Sequence, residues 1–307
     1  MRLLLLVNTS ASSVTPRARV VIHKALAADH DVHVAETSRR GHAMRLALGA
    51  ATDGVDVVVV LGGDGTLNEA ANGLAGTGTA LAVVPGGSTN VFARTIGLVN
   101  DPIEATGQLL AALNGPAPAR RIGLGSMNGR YFLFNAGVGL DAAVIARVDR
   151  RRALKRWAAH PLFVWSAVST WARHYDRRRP SVRVEFPGAD GIDGYFVLVL
   201  NSDPYTFLGA RPLHLVPEAT LDRAVAVVTF RTLAPLPFAR TVVSALGVGR
   251  RAEALRSVDV RTDLDAFGVR ALHAPLPVQV DGEYLGEVEH AAFRYEPDVL
   301  SVVFPGT

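Results

Sequence analysis

Two glycine-rich turns carry residue types that could bind a phosphorylated ligand. The first turn follows the apolar run 57–61 and reads Gly62-Gly63-Asp64-Gly65-Thr66 before a predicted helix. A strand that passes through such a turn into a helix aims free backbone N–H groups and the positive helix end at one point. Glycines leave that point open to a phosphate because they carry no side chain and tolerate positive φ. The pattern therefore predicts a phosphate-binding loop.

The second turn follows the next apolar run and reads Pro85-Gly86-Gly87-Ser88-Thr89-Asn90 before another predicted helix. Thr89 or Asn90 is the expected N-cap of that helix. Alone, the turn is equally compatible with an ordinary structural loop. Because both turns follow strands of one predicted sheet, they should emerge at its carboxyl edge, where open α/β sheets bind ligands. We therefore expect one ligand site built from both turns.

A third segment, Gln279-Val280-Asp281-Gly282-Glu283-Tyr284, places two carboxylates around a glycine. Transfer of a phosphoryl group to an alcohol needs an acceptor for the hydroxyl proton, and a carboxylate can serve. An Asp-Gly pair between two apolar runs is also the commonest signal for a hairpin turn. The residues alone leave both interpretations open.

Several familiar sites are excluded or disfavoured. The third glycine position of the Rossmann fingerprint holds Asn68, and the chain has no Gly-Lys pair for a Walker loop. The absence of cysteine excludes disulfides and thiolate nucleophiles, and no histidine pair has zinc spacing. No Gly-x-Ser-x-Gly elbow is present, which disfavours a serine hydrolase.

The elements around these turns predict two domains. Short apolar runs alternate with helical stretches in the first third, and runs such as 57–61 lack polar alternation, as in central parallel strands. This pattern indicates a doubly wound α/β domain over residues 1–121. From Ile122 onward, strands joined by Gly, Asp and Pro turns predict a β-sandwich over residues 122–307. Whether residues 299–304 return to the first domain is left open.

Composition fits a packed protein. The 307 residues include 49% apolar and 20% charged residues. The first apolar run is too short for a signal peptide core, and none reaches the ~20 residues that span a bilayer. We expect a cytoplasmic protein that is soluble or peripheral. Arginines cluster at 147–156 and 173–179 among Trp157, Phe163, Trp165 and Trp171, which suits nucleic acid, anionic lipid or a solvated helix face.

The order and spacing of these segments resemble the diacylglycerol kinase catalytic-domain family, above all its small bacterial soluble members. The two glycine-rich turns carry the resemblance, and Asn8-Thr9-Ser10-Ala11-Ser12 resembles the family's first nucleotide loop. Residues 134–142 resemble the segment that opens the family's second domain, and 280–283 its catalytic turn. The resemblance implies an α/β domain related to NAD kinase and phosphofructokinase, followed by a β-sandwich.

The resemblance also implies site residues, with ATP and Mg²⁺ as cofactors. Glu283 would be the general base, Asp64 would engage the magnesium–phosphate group, and Asp281 would belong to the catalytic turn. The implied nucleotide-binding residues are Asn8, Thr9, Ser10, Ala11, Ser12, Thr37, Gly62, Gly63, Asp64, Gly65, Thr66, Leu67, Asn68, Glu69, Gly87, Ser88 and Asn90.

The implied activity is transfer of the ATP γ-phosphate to a lipid hydroxyl at a membrane surface, with diacylglycerol as the default acceptor. No nucleic-acid partner is implied, and a homodimer is compatible with the sequence. An NAD kinase-like small-molecule kinase and a non-catalytic lipid or nucleotide sensor remain alternatives.

The sequence departs from the family pattern at two places. Val91 stands where many members have an aspartate. Asp222 is the candidate ligand for a structural magnesium, but its neighbour is Arg223 where metal-binding members have a second aspartate. A guanidinium cannot ligate a cation and repels one, so this departure disfavours the structural metal.

Overall fold

The computed structural model describes residues 1–116, 118–149, 166, 168–173, 175–247 and 255–305. The chain divides into two compact units, the first formed by Met1–Gly123 with Pro297–Thr307 and the second by Leu124–Glu296. Much of the helix expected near 142–175 lies outside the described residues. So do Trp157, Phe163, Trp165 and the basic residues of 150–156.

The first unit alternates strands and helices. Its strands are β1 (Arg2–Val7), β2 (Asp31–Glu36), β3 (Val57–Gly62) and β4 (Ala80–Pro85). Its helices are α1 (Pro16–Leu26), α2 (His42–Thr52), α3 (Asp64–Leu74), α4 (Val91–Thr95) and α5 (Pro102–Leu113). The strands are all parallel, in the order β2-β1-β3-β4. This confirms the predicted doubly wound sheet.

The core of this sheet explains its sequence. Every residue of β3 and β4 is buried, which is why both strands read as unbroken apolar runs. Helix α1 begins where the Thr15 hydroxyl accepts a hydrogen bond from the Ala18 N–H, with Pro16 at the first helical position. Its residues Ile22 and Leu26 are fully buried in the core. The packed core fixes the direction in which each strand end leaves the sheet.

The second unit contains two antiparallel sheets and a small hairpin. Strand β5 (Ala119–Met127) enters the unit, and β18 (His290–Val303) leaves it. Between them lie β6 (Arg130–Phe132), β7 (Asn135–Val138), β8 (Val182–Glu185), β9 (Ile192–Gly194), β10 (Phe196–Leu200), β11 (Thr206–Leu208), β12 (Arg211–Leu213), β13 (Val225–Phe230), β14 (Val258–Leu264), β15 (Ala266–Ala271), β16 (Leu276–Val280) and β17 (Glu283–Val288). Among the described residues, helices α6 (Leu140–Asp149) and α7 (Pro235–Ala245) accompany these strands, and residues 168–173 are also helical.

The two sheets enclose a common core, which confirms the predicted β-sandwich. One sheet has the order β14-β13-β10-β7-β16-β17, and the other joins the start of β18 to β15, β8 and β9. Val199 and Val278 of the first sheet belong to the same buried cluster as Val184 and Phe293 of the second. A second cluster lies on the outer face of the first sheet, where Trp171 and, from α7, Phe238 pack against it.

Strand β18 belongs to both units. Its residues 290–294 pair antiparallel with β15 in the second unit, and Val302 pairs parallel with Leu81 of β4 in the first. In the first unit Val302 is fully buried.

Across the described part of the chain, we find no helix with the length and apolar character that crossing a bilayer requires.

Candidate functional site

Three loops at the carboxyl edge of the parallel sheet contact one another in the first unit. They follow β1, β3 and β4. The Asn8 side-chain amide donates to the Thr66 hydroxyl at 2.8 Å, which joins the first loop to the second. The Ser13 N–H donates to the Gly86 carbonyl at 2.9 Å, and the Gly86 N–H donates to the Gly62 carbonyl at 2.8 Å. The structure thus brings together the two glycine-rich turns that the sequence singled out.

The glycines of these loops serve the contact between the loops themselves. A Cβ atom added to Gly87 would lie 2.8 Å from the Cα atom of Gly63, closer than side chains pack. A Cβ on Gly65, in contrast, would have no atom within 4 Å. Gly87 is therefore required by loop packing, whereas Gly65 leaves open space at the start of α3, where a ligand can approach the backbone.

Asp64 links the two turns. Its carboxylate accepts hydrogen bonds from the backbone N–H groups of Val91, at 3.1 Å, and Phe92, at 3.3 Å. These are the first two residues of α4, so Asp64 satisfies the N–H groups that open that helix. Burial raises the pKa of Asp64 to about 6, and the hydrogen bonds from residues 90–92 oppose that rise. At neutral pH the carboxyl group remains mostly ionised.

Asn90 is the N-cap residue of α4, as expected, but its side chain makes no capping hydrogen bond. Its side chain accepts a bond from the Gly87 N–H at 2.8 Å and donates back to the Gly87 carbonyl at 2.9 Å. Asn90 adopts a left-handed conformation with φ 51°, which turns its side chain into its own loop. The Asp64 carboxylate accepts the hydrogen bonds from the first N–H groups of α4 instead.

The remaining predicted nucleotide-binding residues have different surroundings. The Glu69 carboxylate accepts from the Gly41 N–H at 2.7 Å and the Ala43 N–H at 3.1 Å, so it stabilises the start of α2.

Leu67 and Asn68 are buried on α3, whereas Ser88 is exposed. Thr37 follows β2 and donates its N–H to the Val7 carbonyl at 2.9 Å. Thr9 and Ser12 are exposed and Ala11 is half-buried in the loop after β1. The Ser10 N–H donates to the Asn8 side chain at 3.0 Å.

In the second unit, Asp281 is buried and its carboxylate is held by backbone. It accepts from the N–H groups of Leu133 at 2.7 Å, Phe134 at 3.0 Å and Asn135 at 3.1 Å. Three charge-assisted bonds to one carboxylate fix the turn 281–282 against the segment that opens β7. The contacts of Asp281 are those of a residue that positions the turn.

Glu283 is the first residue of β17 and directly follows the turn 281–282. Arg130 donates from Nη2 to its Oε2 at 2.6 Å, and 12% of the Glu283 side chain is exposed. Sequence patterns did not indicate Arg130, because its pairing with Glu283 depends on where the hairpin of β5 and β6 lies in the folded unit. The carboxylate is thus oriented by a cation and still reaches solvent.

A buried polar network below the turn was also missed. The Gln279 side chain is fully buried; it donates to Asn135 and to Asp141, both at 2.8 Å, and accepts from the Gly282 N–H at 2.8 Å. Tyr205 donates its hydroxyl hydrogen bond to Asp141. Burial raises the pKa of Asp141, and the bonds from Tyr205 and Gln279 oppose the rise. The sequence signal that could have indicated this network is Gln279, a polar residue directly before the apolar Val280.

The candidate structural magnesium does not fit the residues present. Asp222 is exposed, and its neighbour Arg223 forms a bidentate ion pair with Asp263. Within the described ranges, no group of three histidine, aspartate or glutamate side chains could hold a metal ion. A guanidinium beside Asp222 occupies this surface with a fixed positive charge.

Solved structures share this fold. A diacylglycerol kinase from Bacillus anthracis str. Sterne aligns with a TM-score of 0.70 at 19% identity, covering 99% of this chain and 96% of that one. Yeast NADH kinase, solved with NADH, aligns with a TM-score of 0.53 at 10% identity over 99% of this chain and 83% of that one. These likenesses confirm the diacylglycerol kinase and NAD kinase-like fold.

Sequence comparisons identify the family. The diacylglycerol kinase catalytic domain matches residues 2–119. The diacylglycerol kinase of Bacillus subtilis (strain 168) is 37% identical over 121 residues. That match covers 39% of this chain and 39% of the relative, so the chain spans about two fifths of the relative's length. A protein of Pseudomonas aeruginosa (strain UCBPP-PA14), named a probable lipid kinase YegS-like, is 30% identical over 305 residues, 99% of this chain and 94% of the relative. The chain therefore belongs to the lipid kinase family whose members carry the diacylglycerol kinase catalytic domain.

Proposed function

We propose that this protein transfers the γ-phosphate of ATP to the hydroxyl group of a lipid. The observation that carries the proposal is the pair of glycine-rich turns joined at the carboxyl edge of the parallel sheet, within the segment that matches the catalytic domain. Backbone N–H groups there can hold phosphates without side-chain obstruction. Gly62–Thr66 would form the phosphate loop, and Ser88 would be a further nucleotide contact.

Phosphoryl transfer needs charge neutralisation and a proton acceptor more than covalent chemistry. Asp64 fits the first need, because its carboxylate is fixed by the N–H groups of Val91 and Phe92 and is a ligand type that the Mg²⁺ carried by ATP accepts. Bound Mg²⁺ would supply neutralisation of the phosphate charge. Glu283 fits the second need, because Arg130 orients its carboxylate. Asp281 and Gln279 would keep the turn that carries Glu283 in place.

Diacylglycerol is the acceptor we propose to test first. The B. subtilis and B. anthracis proteins named above are called diacylglycerol kinases, whereas the P. aeruginosa relative is named only a lipid kinase. A sphingoid base or another lipid alcohol satisfies the same reaction chemistry. The proposed place of action is the surface of a membrane, since the acceptor carries acyl chains.

The deciding experiment is radiolabel transfer from [γ-³²P]ATP to acceptors presented in mixed micelles. The panel contains diacylglycerol, a sphingoid base, a total bacterial lipid extract and, as a water-soluble arm, NAD. The proposal is supported if the wild type transfers label to a lipid and the Glu283→Gln variant does not. Label in NAD alone would replace it with an NAD kinase activity. ATP binding without label in any arm would make the protein a sensor.

A further inference from the structure

Helix α7 exposes large apolar side chains as well as burying them. Thr241 and Ala245 are buried, and Phe238 is half-buried against the outer face of the sandwich. On the other side, Leu236, Arg240 and Val243 recur at spacings of four and three residues and so share one face. Leu236 is 61% exposed and Val243 is 45% exposed. A surface helix normally places charged and polar residues there, so this face is adapted to contact something other than water.

A second apolar element is fixed beside α7. The ring of Trp171 stacks on that of Phe238 with centroids 6.0 Å apart and an interplanar angle of 8°. The Trp171 indole N–H donates to the Leu233 carbonyl, just before α7, at 3.2 Å. One turn earlier in the helical stretch 168–173, Val168 is 58% exposed. We call the exposed residues Val168, Leu236, Arg240, Val242 and Val243 the α7 surface.

The chain segments that carry the α7 surface contain more arginines than acids. Residues 231–247 contain Arg231 and Arg240 and no aspartate or glutamate. After Trp171 the chain carries four exposed arginines, at 173, 177, 178 and 179. The single acid among them, Asp176, lies 3.6 Å from the Arg179 guanidinium. The guanidinium of Arg177 lies over the Trp171 ring at 4.5 Å. The segments 231–247 and 173–179 are therefore rich in arginine.

We propose that the α7 surface docks on an anionic lipid bilayer. Leu236, Val242, Val243 and Val168 enter the boundary between headgroups and acyl chains, and Arg240 reaches the phosphates through its aliphatic stem. Charge favours this occupant over a second copy of the chain, because residues 231–247 offer arginines and no acid to pair with them across a twofold contact. The proposal extends the proposed lipid kinase function but does not depend on turnover, since docking is measured without ATP.

The absence of cysteine from the chain makes a direct test simple. Val243→Cys is labelled with an environment-sensitive fluorophore, and Leu48→Cys, a 49% exposed position on α2, serves as the matched control. We expect the Val243 label to shift to the blue with vesicles of phosphatidylglycerol and phosphatidylcholine, and the Leu48 label to stay unchanged. No shift at Val243, or an equal shift at both positions, overturns the proposal. A shift that grows with protein concentration before vesicles are added assigns the surface to a second copy instead.

Vesicle sedimentation gives the energetic counterpart. Leu236→Ser with Val243→Ser should lower the partition coefficient by about tenfold or more, because two inserting apolar side chains are lost. The control pair Val20→Ser with Leu48→Ser, 54% and 49% exposed in the first unit, should leave it unchanged. Added salt should weaken binding of the wild type to anionic vesicles. Equal losses in both pairs, or equal binding to neutral vesicles at low salt, contradict the proposal. Thermal melts establish that every variant folds, and lipid-kinase turnover is scored separately.

Discussion

The Arg130 guanidinium donates a 2.6 Å hydrogen bond to Oε2 of Glu283, although the two residues are 153 positions apart in the chain. The ion pair holds the carboxylate of Glu283, the proposed base, in one orientation beside the 281–282 turn. A base must be positioned before it can accept a proton, and this contact supplies the positioning.

We expect Glu283→Gln to lower kcat by ~10²–10⁴-fold and to leave ATP binding nearly unchanged, because glutamine keeps the volume but cannot accept the hydroxyl proton. Glu287→Gln is the matched control, since Glu287 lies on the same strand and is exposed. Initial rates at saturating ATP and titration with a fluorescent ATP analogue measure the two effects. A fall of less than tenfold would remove Glu283 from the role of base.

Asp64→Asn tests the carboxylate between the two turns. We expect no transfer at any pH, with little loss of stability at pH 7.

Because folding raises the pKa of Asp64 from 3.8 to about 6, the native state holds its proton more tightly than the unfolded state. Stability contributed by this group is therefore present below pH ~4 and is lost as pH rises toward ~6. Relative to the variant, the free energy of unfolding of the wild type should fall by up to about 3 kcal/mol across this window. Urea unfolding at pH 4 and 7 measures it, and a pH-independent difference would contradict the burial argument.

Two glycine substitutions separate loop packing from ligand binding. Gly87→Ala should lower the free energy of unfolding by about 1–3 kcal/mol, because its Cβ would meet the Gly63 backbone at 2.8 Å. Gly65→Ala should leave stability unchanged or raise it, because the position is open and helical. It should nevertheless raise the KM for ATP if phosphates approach the backbone there. Unaltered ATP kinetics in Gly65→Ala would argue against phosphate binding at this helix end.

Asp281→Asn should affect folding more than Glu283→Gln does and chemistry less. The amide group would place a donor against a backbone N–H that now donates to a carboxylate oxygen, at a cost of about 1–3 kcal/mol. The residue's φ of 46° is tolerated by asparagine, so backbone strain does not contribute. Thermal melts and initial rates on the same preparations compare the two variants. A stable but inactive Asp281→Asn protein would instead make Asp281 a catalytic residue.

Asp222→Asn and removal of divalent ions test the candidate metal site at Asp222. We expect both to leave the melting temperature of the ATP-free protein unchanged, since the neighbouring charge is an arginine paired with Asp263. Melting scans in EDTA and in MgCl₂ measure this directly. A lower melting temperature in EDTA that Asp222→Asn abolishes would restore a structural magnesium.

The sequence was informative where local rules decide the structure. Unbroken apolar runs such as 57–61 predicted the parallel sheet, since a strand covered on both faces has no polar alternation. It was less informative where distant segments meet. Sequence spacing predicts neither the hydrogen bonds from the start of α4 to the Asp64 carboxylate nor the contact of Arg130 with Glu283. Each pairing depends on how loops pack in three dimensions. The glycine pattern predicted a close backbone approach, but only the structure shows that Gly87 approaches Gly63.

Strand β18 has a consequence for biosynthesis. Its last residues complete the first unit, where Val302 pairs with Leu81, so the edge of β4 stays unpaired until residues 297–303 have been translated. The amino-terminal sheet therefore cannot finish folding on the ribosome ahead of the rest of the chain, although its first four strands are made early. An unpaired, apolar strand edge is prone to aggregation while it waits. Slow elongation through the second unit should thus lower the yield of the first.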